Sequence, residues 1–471
     1  MLLNLLLLFH LFGFILALDA LMTARTSQGA TAWVISLITL PYVAIPLYWF
    51  FGRSKFEGYT SARKEAEEVV ANKLKDTLTQ VQKYVPQDAS LGFFEKSLQH
   101  LVKMPYLQAN ELELLIDGEN TFASILEGIA EAKEYVLLEF YIVRDDTLGR
   151  KVQQSLIKKA QEGIKIYFIY DEIGSHQLPE SYLNTMREAK IEVYNFHTQK
   201  GIKNRFQINF RNHRKIVIVD GITSWLGGLN IGDEYLSQKK KFGHWRDTHL
   251  KLTGPSTIAV QKTFIEDWFW ATEKHIENLR WTPLLSQKEN KKVLIVPSSP
   301  SDIVETASLM YLQAINAATE RIWISSPYFI PDRAIIKALQ LAGLRGVDVR
   351  ILIPAKADHI LVYLAAFTYF ENIAVTGVKF FRYNNGFLHQ KVMLIDSLHA
   401  TVGTANMDNR SFRLNFEISA LISDKAFAQE IKMMFEEDFQ NSYALDIAQI
   451  SHEPFLFKLA TRLARLTSPV L

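Results

Sequence analysis

Two short stretches of the chain carry the same reactive residues at the same spacing. His213-Arg214-Lys215 is followed by Asp220, and His389-Gln390-Lys391 is followed by Asp396 at the same offset. Downstream, Gly227-Gly228-Leu229-Asn230 matches Gly403-Thr404-Ala405-Asn406. Side chains on a strand alternate between faces, so His213 shares a face with Lys215, and His389 with Lys391. Each pair then sets a nucleophile or acid beside a fixed positive charge. Displacement at a phosphodiester needs a nucleophile on one side and a proton donor to the leaving oxygen on the other. Two facing histidines supply both, and the lysines neutralise the nonbridging oxygens, so the chemistry calls for no metal. Asn230, Thr404 and Asn406 lie beyond a turn and are expected to donate hydrogen bonds to an anionic oxygen. Asp220 and Asp396 complete the two catalytic motifs. Their offsets put them on the opposite strand face, where a supporting role is expected. The plain alternative is a duplicated structural motif, but nothing structural demands His and Lys together twice.

The elements that must position these groups are themselves duplicated. Tyr135–Ile142 and Ile322–Phe329 read as strands, each following a helical pattern rich in Ala and Glu. Gly163–Phe168 is matched by Gly346–Leu352, and Ile191–Tyr194 by Val378–Phe381. Strands alternating with helices predict an α/β sheet in each half. The repeat is too long for a solenoid unit and fits a whole domain.

The remainder of the 471 residues bounds the function. Net charge is +2, weaker than a dedicated nucleic-acid binder carries. There is no cysteine, which excludes disulfides, thiolate metal sites and a thiol nucleophile. Leu2–Leu18 and Thr31–Phe51 are apolar, and about 20 such residues span a bilayer as a helix. No Lys or Arg precedes the first segment, which argues against a cleaved leader. The loop between the segments carries only Arg25, while Arg53, Lys55, Arg63 and Lys64 follow the second. The positive-inside rule then predicts a hairpin with both termini and the large soluble part in the cytoplasm. Residues 57–105 read as a charged helical spacer. Lys200, Lys203, Arg205, Arg211, Arg214 and Lys215, with Lys239, Lys240 and Lys241, suit either an anionic lipid surface or an ordinary solvated face. Leu459, Leu463 and Leu466 sit at helical spacing among Lys458, Arg462 and Arg465, so the C-terminal tail could lie on a membrane or on the domain. His249 is expected near the site because it follows Asp247 closely.

The paired motifs resemble the HKD motif of the phospholipase D superfamily. Gly386–Lys391, Gly403–Phe412, Asn415-Phe416-Glu417, Gly232–Tyr235 and Trp245–His249 are similar to the motif regions of bacterial cardiolipin synthases. Arg25–Ala30 and Tyr48–Arg53 resemble their N-terminal hairpin. The resemblance implies two tandem phospholipase D-like domains, each a mixed sheet flanked by helices. The expected division is a transmembrane hairpin over 1–56, a linker over 57–105, and domains over 106–288 and 289–471. The implied reaction joins two phosphatidylglycerols into cardiolipin at an anionic phospholipid membrane of a bacterium, without cofactor or nucleic acid. It also implies His213 as nucleophile and His389 as acid and base, with Glu417 and Asp247 orienting the histidines by accepting a ring N–H. Gly228 departs from Thr404 in the other half, so a hydroxyl is missing there. A hydrolytic phospholipase D, transfer to another headgroup alcohol, a related nuclease and a non-catalytic scaffold are the competing readings.

Overall fold

The computed structural model describes residues 2–52, 56, 59–60, 63–65, 82–87, 91–197, 209–285, 288–356 and 358–471. Lys200, Lys203 and Arg205 of the basic stretch, Arg53, Lys55 and much of the spacer lie outside these residues. The first half contributes β1 (Leu107–Ile116), β2 (Tyr135–Phe140), β3 (Lys165–Asp171), β4 (Glu192–Phe196), β5 (Arg211–Asn212), β6 (Ile216–Val219), β7 (Thr223–Gly227), β8 (Trp245–Arg246) and β9 (Thr248–Thr253). The second contributes β10 (Lys291–Ser298), β11 (Arg321–Ser325), β12 (Phe329–Ile330), β13 (Asp348–Pro354), β14 (Lys379–Tyr383), β15 (Phe387–Leu388), β16 (Val392–Ile395), β17 (His399–Gly403), β18 (Met407–Asp408), β19 (Asn415–Ser423) and β20 (Ser442–Ala444).

The two halves form one continuous sheet. β1 and β10 meet antiparallel at its centre. Outward from there run β9, β7, β6, β2, β3 and β4 on one side, and β19, β17, β16, β11, β13, β14 and β20 on the other. β2, β3 and β4 are parallel, as are β11, β13 and β14, so the sheet is mixed in each half. Central strands such as β2 and β6 are buried along their whole length, which explains apolar sequences interrupted only by Glu139 of β2, whose carboxylate accepts from Asn212. Alternation along β2 sends Leu137 toward Phe264 and Trp268 of the helix Thr257–Thr272, and Val136 and Leu138 toward Phe122, Ile125 and Ile129 of the helix Asp117–Glu131. β11 repeats the arrangement: Trp323 packs with Phe435, and Ile322 and Ile324 with Met310 and Ala314. Truncating one of these buried aliphatic residues to Ala costs about 2–5 kcal/mol.

The N-terminal segment departs from the expected hairpin. The first apolar segment is a single helix, α1 (Leu2–Thr23), and among the described residues it alone is long and apolar enough to cross a membrane. The second segment is two helices, α2 (Ser27–Thr39) and α3 (Pro41–Phe51). Pro41 offers no N–H and disfavours helical geometry at Leu40, whose φ and ψ are −134° and 56°. Proline at the first position of α3 then starts a new helix.

The junction between the expected hairpin and the spacer is docked on the body. Phe56 and Tyr59 are buried in the core shared by both halves, and the Tyr59 hydroxyl donates to Asp267 Oδ1 at 2.5 Å. Burying two aromatic side chains this way contributes about 1.5–3 kcal/mol each. At the C-terminus, the helix Phe455–Arg465 turns Phe455, Leu456, Leu459 and Leu463 outward, while Thr461 and Ala464 face the domain.

Candidate active site

The site is assembled by an exchange of short strands between the halves. β5 runs parallel to the start of β19, with Arg211 opposite Asn415 and Asn212 opposite Phe416. The His213 amide then donates to the Phe416 carbonyl at 3.0 Å, which brings the imidazole beside Glu417. β15 runs parallel to β8 in the same manner, with Phe387 opposite Trp245 and Leu388 opposite Arg246. There the His389 amide donates to the Arg246 carbonyl at 2.8 Å, beside Asp247. His213 Nδ1 lies 2.9 Å from Glu417 Oε2, and His389 Nδ1 lies 2.8 Å from Asp247 Oδ2. Each histidine is therefore held by a carboxylate from the other half.

The histidines and lysines sit in the extended residues just ahead of β6 and β16, not inside those strands. The expected side-by-side placement survives, because that stretch is extended too. Lys215 Nζ donates to the His213 carbonyl at 2.5 Å, and Lys391 Nζ donates to the His389 carbonyl and lies 3.1 Å from His389 Nε2. Both histidines line one cleft of about 570 Å³, together with Asn230, Asn406, Tyr141 and Trp245. The Tyr141 ring packs edge-on against His213 with centroids 5.0 Å apart, and Trp245 lies 5.1 Å from His389.

The motif aspartates are structural. Asp220 accepts from the amides of Lys133, Glu134 and Tyr135, and Asp396 from those of Thr319, Glu320 and Arg321. Both occupy left-handed backbone at φ 54°, a conformation Asp tolerates better than most residues. They pin the starts of β2 and β11 to the ends of the motif strands.

Of the three residues expected to bind phosphate, Asn230 and Asn406 line the cleft and Thr404 does not. Thr404 Oγ1 donates to Glu417 Oε2 at 2.6 Å and accepts from the Ile418 amide, so it fixes a carboxylate. Asn230 accepts from the Ile142 amide and donates to the Tyr235 hydroxyl. Asn406 Oδ1 is buried without a hydrogen-bond partner among the described residues, which leaves an acceptor, not a donor, at the cleft. The Gly228 departure has a steric cause. A Cβ there would lie 2.0 Å from Asp247 Oδ1, so only glycine leaves room for that carboxylate. His249 is buried in the sheet and does not line the cleft; burial pushes its pKa down to about 3.

Two cleft residues were not among the expected site residues. Arg211 and Arg410 both line it, and burial followed by the charge of Arg211 lowers the Arg410 pKa below its ordinary value. Arg211 stands where the second half has Phe387, and Arg410 where the first half has Glu234. Those mismatches between otherwise matched halves were the signal. They leave a cationic wall near His213 and an aromatic wall of Trp245 and Phe387, 4.9 Å apart, near His389.

The two histidines are electrostatically unequal. Burial, followed by Lys215, Lys391 and His389, drives the His213 pKa well below the usual imidazole range. Burial and then Lys391 lower His389 to about 4, against the opposing pull of Asp247. Asp247 itself resists burial because Lys391 and His389 hold its pKa below the ordinary aspartate value. Burial raises Glu417 to about 7, despite Lys215 and three side-chain donors. Burial also lowers Lys391 to about 8. Asp247 is thus a firm anion beside His389, whereas Glu417 beside His213 is only marginally ionised near neutrality.

Facing histidine–lysine pairs at the joint of a duplicated mixed sheet define a phospholipase D-like phosphodiester transferase. The family model described as "Cardiolipin synthase, PLD-like domain" matches residues 125–258 and 311–439. Cardiolipin synthase A of Pseudomonas fluorescens (strain SBW25) is 44% identical over 467 residues, covering 98% of this chain and 97% of the relative. Cardiolipin synthase A of Pseudomonas aeruginosa (strain LESB58) is 45% identical over 464 residues, covering 98% and 94%. The fold is similar to that of phosphatidylserine synthase from Haemophilus influenzae Rd KW20, with a TM-score of 0.63 at 14% identity over 81% of this chain and 100% of that one. The chain belongs to the cardiolipin synthase family, phosphatidyltransferases of the phospholipase D superfamily that act on phospholipids.

Proposed function

We propose that the chain transfers a phosphatidyl group from one phosphatidylglycerol to a second, giving cardiolipin and glycerol through a phosphatidyl-histidine on His213. The observation that carries the division of labour is the inequality of the two carboxylates. A neutral His213 holding its Nδ1 proton toward Glu417 presents an Nε2 lone pair for attack on phosphorus. The bond from phosphorus to the glycerol oxygen breaks, and the leaving oxygen takes a proton from the small protonated fraction of His389, an imidazolium that ionised Asp247 and the bound phosphodiester's own negative charge support. The incoming glycerol hydroxyl then gives its proton to His389, attacks phosphorus and releases His213. Lys215 and Lys391 stabilise the nonbridging oxygens throughout. Asn406 Oδ1 suits the hydroxyl of a glycerol headgroup as an acceptor.

The acceptor is a phospholipid and not water because the cleft carries charge for a second phosphate. Arg211 and Arg410 take the phosphate of the incoming phosphatidylglycerol, which water or a small alcohol lacks. The two catalytic domains, 106–288 and 289–471, face the cytoplasm of a bacterial cell at its anionic membrane, by the bias of basic residues after Phe51. Purified full-length protein given labelled phosphatidylglycerol, with chelator present, is expected to form cardiolipin and glycerol. Phosphatidic acid as the sole product would assign it to the hydrolases instead.

A further inference from the structure

We infer that only α1 crosses the bilayer and that α2 and α3 form a re-entrant corner, so that the turn at Arg25 lies on the same side of the membrane as the catalytic body. In a two-crossing hairpin that turn would be separated from the body by the whole membrane. The contacts exclude such a separation. Arg25 pairs with Glu305 at 3.4 Å and donates to the Arg413 carbonyl at 3.3 Å, both in the second half of the body. Thr26 and Gln28 line a surface cleft together with Ile303, Glu305 and Arg465.

The path of α3 agrees. Had α2 continued as a straight helix, Tyr48 would lie about 30 Å beyond Ser27 at 1.5 Å per residue. Instead the Tyr48 hydroxyl donates to Asp19 Oδ2 at 2.7 Å and lies 3.4 Å from Thr23 Oγ1, at the body end of α1. The corner itself packs on the middle of α1, where a Cβ on Gly13 would meet the Leu37 carbonyl at 2.3 Å and Pro41 at 2.9 Å. The end of α3 is again at the body, where Asn209 Nδ2 donates to the Phe50 carbonyl at 2.7 Å. α2, with 13 residues, reaches only about 20 Å, while the 22 residues of α1 reach about 33 Å, enough for the roughly 30 Å hydrocarbon core.

The occupant of the surrounding surface is the lipid bilayer. Leu7, Leu11, Leu18 and Leu21 of α1, Ile38 of α2 and Leu47 of α3 are all exposed, continuous with the span that α1 makes. The outward apolar face of Phe455–Arg465 adjoins the same base through Arg465. The anchor is linked to the rim of the active site through Asn209, whose side chain bonds the Phe50 carbonyl and whose own carbonyl accepts from Arg410 of the catalytic cleft at 2.9 Å. The re-entrant corner thereby seats the cleft at the leaflet from which lipid enters. This inference rests on membrane association and not on the reaction, so topology and turnover are measured separately.

The natural chain has no cysteine, so single cysteines report cleanly. In cells expressing the full chain, Asn4→Cys should react with a membrane-impermeant maleimide from outside, and Gln28→Cys only after the membrane is opened. Labelling of Gln28→Cys from outside would establish the two-crossing hairpin and overturn the inference. Protection of both until opening would show that α1 does not cross, which also overturns it. As an independent measurement, the double variant Arg25→Cys and Glu305→Cys should form a disulfide in the membrane under mild oxidation. Its absence in a protein that retains cardiolipin formation would contradict the placement of the turn.

Discussion

Replacing Asp247 by Asn tests the division of labour between the histidines. The Asp247 carboxylate accepts from the Thr248 amide through Oδ1 at 2.8 Å and meets His389 Nδ1 through Oδ2 at 2.8 Å. In Asp247→Asn the carbonyl oxygen stays with the Thr248 amide, which turns an N–H toward His389 Nδ1. That nitrogen must then accept, and the imidazolium loses its counter-charge. A charge-assisted hydrogen bond contributes about 1.5–3 kcal/mol, so protonation of the leaving glycerol should slow roughly 10- to 150-fold. A phosphodiester with a leaving group of low pKa needs no proton, and its burst of adduct formation should fall less than about threefold. Glu417→Gln should behave differently, slowing the burst with both substrates, because it disturbs the ring that attacks. Rapid-quench measurement of adduct formation with each substrate separates the two. Equal slowing of both substrates by Asp247→Asn would refute the assignment of His389 as the acid, as would a burst untouched by Glu417→Gln.

Arg410→Gln and Arg211→Gln should each lower the ratio of cardiolipin to phosphatidic acid formed from phosphatidylglycerol by roughly 10-fold, since each removes a charged hydrogen bond to the acceptor's phosphate. Product analysis checks this, and an unchanged ratio would remove the second-phosphate role. Stability should fall with acid: His389 titrates at about 4 in the fold, below its ordinary value. The folded state thus binds fewer protons than the unfolded one, and the stabilisation is complete above about pH 6.5 and lost as pH drops through about 4. The His389 share is about 3 kcal/mol. Denaturant unfolding from pH 7.5 to 4 should be less pH-dependent in His389→Gln, and an identical slope would contradict the buried neutral imidazole.

The duplicated motif was legible because chemistry constrains residue type and spacing together. The α/β class was legible for the same reason that β2 and β11 are mostly apolar: both sheet faces are covered. The exchange of strands was not, since β5, β8 and β15 are two residues long and carry no periodicity. Proximity in sequence therefore hid that each histidine meets the other half's carboxylate, although Glu417 and Asp247 were named by resemblance. The intramolecular partners of Thr404 and Asn230 were not legible, because residues past a tight turn can satisfy neighbouring backbone and carboxylate groups as easily as a ligand. The break of the second apolar segment into α2 and α3 was not read, because hydropathy records apolar length and not direction. Pro41 marked the break, but the return of α3 depends on contacts from Asp19 and Asn209, which no local pattern encodes.

The central claim, a phosphatidyl-histidine on His213, is tested most directly by trapping the phosphoenzyme. The full-length protein is mixed with an activated phosphodiester, quenched under conditions that keep phosphohistidine, and the adduct is mapped by peptide mass spectrometry. The account predicts an adduct on His213 that persists in His389→Ala and is absent from His213→Ala. An adduct on His389 that persists in His213→Ala would contradict it.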